Sequence, residues 1–257
     1  MAGAGKDSKR IGGIVLLCLA TVVCGGSSPT APSGSTGGSG SSGSGSGTGG
    51  GGTGTGQANA CRIGPATYRI VTTGGGVTST TNGTCTFNNN TAEGTCTNQY
   101  SDSTGQTFTS VSTTRHSTRG DAVDEVSVIP PLQRSLGTTT TVTGGALNTT
   151  GASTHSYDAQ RRLVSTVAVT TGSGQNATST TTYTAWDSAG RPTASTSSAS
   201  SSTYTYDNAT RTQVSAAVGT GVSCSQVFDA NGNPTVGTCS NGATSTFTML
   251  TTLQVCR

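Results

Sequence analysis

The chain is predicted to be all-β: successive antiparallel hairpins in a twisted open sheet or short spiral, supported by disulfides. Three observations predict this. Its residue vocabulary is Thr, Ser, Val and Tyr, which suits half-buried polar strands. An aromatic residue followed by Asp recurs at turn positions between Thr-rich stretches. Of six cysteines in the domain, four fall where hairpin pairing brings them opposite one another. Of 257 residues, 30% are hydrophobic and 9% are charged, so the core is thin. The high net charge that usually accompanies disorder is missing as well. Beyond residue 24 ten Arg, no Lys and nine acids leave the chain nearly neutral, which argues against a nucleic-acid partner.

Residues 1–24 read as an export signal. Lys6, Lys9 and Arg10 precede the apolar run Ile11 to Val23, which is too short to span a bilayer and suits a signal peptide. Val22-Val23-Cys24-Gly25-Gly26 is similar to a bacterial lipoprotein signal, in which Cys24 becomes the lipidated first residue. Val23 and Thr21 depart from the small and aliphatic residues usual before that cysteine, so cleavage without lipidation stays open. The expected location is therefore the outer membrane or cell surface, with secretion as the alternative. The expected partners are the membrane, through a lipid anchor at Cys24, and a surface glycan or protein.

Residues 25–58 form a tether. From Ser33 to Gly56 every residue is Gly, Ser or Thr, which cannot bury enough apolar surface to offset the entropy of ordering. Its root-mean-square reach is roughly 30 Å.

Residues 59–152 are expected to be an N-terminal β region, either degenerate repeat or cap. Counting outward from Asn90-Thr91 places Cys85 opposite Cys96. The same counting from Asn231-Gly232, a strong two-residue hairpin signal, places Phe228 opposite Thr235 and Cys224 opposite Cys239. Cys61 and Cys256 remain and would join the two ends of the domain.

Residues 153–257 carry the most specific pattern. Tyr157-Asp158, Trp186-Asp187, Tyr206-Asp207 and Phe228-Asp229 each open a seven-residue motif, and Gly190-Arg191, Arg211 and Gly232 continue it. Tyr100 to Gln106, with Asp102, is a weaker earlier copy. The aromatic residue ends a strand, Asp accepts backbone amides of the turn, and Gly supplies a positive φ angle. Arg161 and Thr210 stand where two copies lack that Gly, so those turns are expected to be built differently. At Asn231-Gly232 a bulged turn competes with the two-residue loop, and the cysteine pairing favours the latter.

These motifs resemble the YD repeats of the Rhs and teneurin-like family, in which Tyr-Asp-x-x-Gly-Arg recurs along a chain of β-hairpins. The resemblance covers about Ser153 to Cys239. It implies hairpin architecture and a surface location. The copies are too few for the large shell of that family, so its encapsulation role is not expected here.

The remaining chemistry is sparse. His116 with Asp121, Asp124 and Glu125 is a candidate hydrolase or metal centre, against which stands a solvated loop leading to Pro130-Pro131. No Gly-x-Ser-x-Gly elbow occurs. Asp229 to Asn233 imitates a calcium loop, but Pro234 and Ser240 occupy its glycine and glutamate positions. Trp186, Tyr204 and Tyr206 are candidate sugar-stacking rings, against the plainer role of covering a thin sheet. Five Asn-x-Ser/Thr triplets, including Asn82 and Asn176, follow from the Thr-rich composition. The expected function is thus a non-enzymatic surface or periplasmic lipoprotein, structural or adhesive, needing no cofactor. A carbohydrate-binding module is the first alternative and an enzyme at His116 the second.

Overall fold

The structure, a computed structural model, describes residues 61–116, 135–144, 148–160, 162–172 and 174–256. The expected signal at 1–24 with Cys24, the expected tether at 25–58, Asp121, Asp124, Glu125 and Arg161 lie outside them.

Fourteen strands follow in chain order. The first five are β1 (Cys61–Gly74), β2 (Val77–Asn88), β3 (Glu93–Asp102), β4 (Thr107–His116) and β5 (Ser135–Thr143). Next come β6 (Thr149–Tyr157), β7 (Leu163–Gly172), β8 (Gln175–Trp186), β9 (Pro192–Ser197) and β10 (Ser201–Asp207). The last four are β11 (Thr212–Val218), β12 (Ser223–Phe228), β13 (Pro234–Cys239) and β14 (Thr244–Cys256). Each pairs antiparallel with its sequence neighbour, and β1 also pairs with β14. The sheet is therefore a closed barrel. This corrects the expected open sheet or short spiral: closure pairs the first and last strands, whose backbone groups an open sheet would leave unpaired. The boundary expected at 152/153 falls inside β6, within one barrel.

Alternation places one face of every strand inside. On β2, Ser79 and Gly83 are buried while Thr78, Asn82, Thr84 and Thr86 are exposed. The best-packed part lies between β14 and β5. Tyr68 on β1 faces Gly83 on β2, which faces Asn98 on β3. The Tyr68 ring crosses the glycine and its hydroxyl donates to Asn98 Oδ1 at 2.5 Å. A Cβ at position 83 would lie 2.1 Å from that ring, so only Gly fits. Phe247 stacks on the Tyr68 ring at 5.1 Å between centroids. Cross-strand hydroxyl pairs, Ser112 with Thr140 and Thr114 with Thr138, continue the packing where aliphatic residues are scarce.

Two disulfides join facing residues of adjacent strands, Cys85–Cys96 and Cys224–Cys239. The backbones of Cys61 and Cys256 are also register partners, though their side chains lie outside the described structure. The wall is uneven in height. β8 meets β9 only from Thr181 to Trp186, and β13 meets β14 only at Thr244 to Thr246.

Candidate functional site

All four aromatic–Asp motifs lie at one end of the barrel, where even-numbered strands turn into odd-numbered ones. The start of β1 and the end of β14 share that end. Asp102 turns β3 into β4 and so sits at the opposite end.

The turn chemistry is local. After Trp186, the Gly190 amide donates to the Asp187 carbonyl at 3.0 Å and the Asp187 amide to the Arg191 carbonyl at 2.9 Å. Gly190 has φ 80°, which closes a type I turn with a bulge. Asp187 Oδ1 accepts the Ala189 and Arg191 amides, which holds the loop. Asp102 repeats the arrangement with Gly105 at φ 86°, its Oδ1 accepting from Thr104 and Gln106.

Asp229 does so too, with Gly232 at φ 67° and Oδ1 accepting from Asn231 and Asn233. This corrects the expected two-residue Asn231-Gly232 loop. The Asp229 amide bonds to Asn233, and Phe228 faces Pro234 instead of Thr235. A register shift between Val227 and Phe228 then restores the alignment that brings Cys224 opposite Cys239. The bulged turn and the cysteine pairing, which sequence counting sets in conflict, coexist because the strand absorbs one extra residue.

The Tyr157 corner lacks Gly yet keeps the span of the Trp186 corner, its Asp158 amide bonding to the Arg162 carbonyl. At the Tyr206 corner, which lacks it too, the loop lengthens. Asp207 accepts the Ala209 and Thr210 amides, and Arg211, one residue after Thr210, takes the positive φ of 54°. The same loop joins β2 to β3, where Asn88 accepts from Asn90 and Thr91 and Ala92 takes φ 54°. Phe87-Asn88 is thus a further aromatic–Asx corner that a search for Asp passes over. The correspondence extends to the following strand. The Phe228 amide donates to the Arg211 carbonyl, and the His116 amide to the Ala92 carbonyl. His116, 3% exposed and packed near Phe87, occupies the place of a repeat aromatic.

Successive corners interlock. Arg191 is buried; its Nε donates to Asp187 Oδ2 at 2.7 Å and one terminal nitrogen to Asn208 Oδ1 at 2.8 Å. Its guanidinium covers the Tyr206 ring of the next corner at 4.2 Å. Arg162 pairs with Asp158 and covers the Trp186 ring at 4.5 Å in the same way. The polar tip of each aromatic reaches back to the strand that opens after the preceding corner. Tyr157 donates to the Ser135 carbonyl, Trp186 Nε1 to Leu163 and the Tyr206 hydroxyl to Pro192.

Burial pushes the Tyr206 hydroxyl well above the usual tyrosine range, against the opposing pull of the Arg191 charge. Desolvation raises the Asp158 carboxyl, but hydrogen bonds and charge from Arg162 outweigh it and hold the group low. At Asp207 the Thr210 side chain and the Thr210 and Ala209 amides lower the carboxyl.

Of the candidate sugar-stacking residues, Trp186, Tyr204 and Tyr206 are all half-buried. An arginine takes one ring face of Trp186 and of Tyr206, while Tyr204 bonds Ser195 at 2.9 Å on the inner wall. His155, on β6, is bonded through Nδ1 to Thr166, and burial holds it below the usual histidine range. Among the described residues no group of three His, Cys, Asp or Glu is placed to hold a metal. No protein-family model and no curated protein matches the chain.

Proposed function

We propose that the chain is a non-enzymatic YD-repeat lipoprotein, held at a cell surface or in the periplasm through Cys24, with a structural or adhesive role. The supporting observation is the interlock of the corners. Asp187, Arg191, Asn208 and Tyr206 bond to one another across two repeats, so the motif's charged and aromatic groups act as fasteners of the wall. Two cross-strand disulfides agree with export to an oxidising compartment. Both ends of the barrel wall lie on the corner face, so the tether preceding Cys61 leads to that face and leaves the opposite one pointing away from an anchor.

Intact mass of protein taken from bacterial membranes, with and without reduction, tests the reading. The expected species begins at Cys24, carries added acyl mass and loses it in the Cys24→Ala chain. A species that begins elsewhere and lacks acyl mass overturns the anchor.

A further inference from the structure

The uneven wall leaves parts of several strands without a neighbour on one side, the outer half of β8 among them. Residues 175–180 of β8 pair with β7 on one side, Gln175 facing Gly172 and Thr180 facing Val167. On the other side β9 reaches only to Ser197, which faces Thr181. Among the described residues nothing pairs with the open side of this stretch. Asn176 to Thr180 are all exposed, so the end of the β7–β8 hairpin stands clear on both faces. The direction of its backbone groups follows from the turn beyond. The Ser197 amide donates to Ser200, so Ser197 bonds toward β10 and Thr196, next to it, bonds toward β8, where it faces Thr182. Alternation then turns the amides and carbonyls of Thr180, Thr178 and Asn176 to the vacant side.

Natural edges are normally blunted by charge, proline or a bulge. Gln175-Asn176-Ala177-Thr178-Ser179-Thr180 contains no charge and no proline, and its pairing with β7 has no bulge. It spans about 20 Å. We propose that this edge is a self-association site, where a second copy adds its own β8 antiparallel about a two-fold axis at Thr178. That register sets Thr178 against Thr178 of the other copy and Asn176 against Thr180. All three outward-bonding residues of each copy are then paired, and no like charges meet. Cross-strand threonine pairs are already a device of this wall, as Thr67 with Thr251 and Thr73 with Thr244, each at 2.7 Å, show. The edge lies at the end away from the corners and from the start of β1, so a tether there does not obstruct it. Another long step, along β14 beyond Thr246, is at the corner end, beside both chain ends and residues outside the described set, and is the weaker choice.

The inference stands apart from the anchoring proposed above. Sedimentation of the full chain across a concentration series tests it, with circular dichroism and thermal melting confirming that each variant folds. The wild-type chain is expected to dimerise. Thr178→Lys and Thr178→Asp, each placing like charges face to face, are expected to weaken self-association by about tenfold or more. An equal mixture of the two is expected to pair again. A wild-type chain that stays monomeric throughout, or variants that dimerise as well as wild type, overturn the proposal.

Discussion

Arg191 and Arg162 carry the same motif but different burdens. Arg191 has 8% of its side chain exposed and pairs with Asp187, whereas Arg162 has 38% exposed and pairs with Asp158. Removing a carboxylate strands a charge only where that charge is buried. Asp187→Ala should therefore cost about 3 kcal/mol or more. Asp158→Ala should cost clearly less, since water can replace the lost partner of an exposed arginine. Urea denaturation of the two variants measures the difference, and equal losses would show that the Arg191 environment is not what distinguishes them. At the same scale His116 has two readings. Beside acidic residues it reads as a catalytic candidate, yet its backbone bond to Ala92 gives it the position that Phe228 holds in the last repeat.

At the scale of elements, the corners are hairpins closed by one side chain. Asp102, Asp158 and Asp207 are all held below the ordinary carboxylate range. At Asp102 desolvation raises the carboxyl, but bonds from the Thr104 hydroxyl and the Gln106 and Thr104 amides outweigh it. Each group ionises more readily folded than unfolded. Its contribution is complete above the unfolded value of about 4 and is lost as pH falls through the lower folded one. His155, also lowered in the fold by burial, adds a separate loss that begins below about pH 6.5. The thermal midpoint is thus expected to fall in two stages on acidification. His155→Gln should remove the upper stage and Asp207→Asn should weaken the lower. A midpoint independent of pH from 7 to 3 would contradict this account. The corners were legible in sequence because the aromatic and Asp are adjacent and, in the Trp186 and Phe228 copies, Gly190 and Gly232 lie within five residues of the aromatic. Phe87-Asn88 escaped notice because Asn replaces Asp and Ala92 takes the left-handed position that Gly usually announces.

For the whole molecule the decisive contact is β1 with β14, the pair most distant in sequence. It runs from Cys61 opposite Cys256 to Thr73 opposite Thr244. Loss of β14 would expose the edges of β1 and β13 and strip Phe247 from Tyr68. A chain ending before Thr244 should therefore lose cooperative unfolding and associate into large species. Circular dichroism melts and sedimentation would show this, and a monomer that melts cooperatively would refute it.

The sequence by itself determined the strand-rich composition, the turn at each aromatic–Asp corner and the facing positions of Cys85 with Cys96 and Cys224 with Cys239. All of these depend on neighbours within a hairpin, where spacing and turn residues decide register. Tertiary structure alone decided that the sheet closes, that His116 stands in line with the repeat aromatics, and that β8 outreaches β9. An open sheet and a barrel share the same alternation along every strand. Which one forms depends on twist and stagger accumulated over all the strands, a sum that no single hairpin encodes.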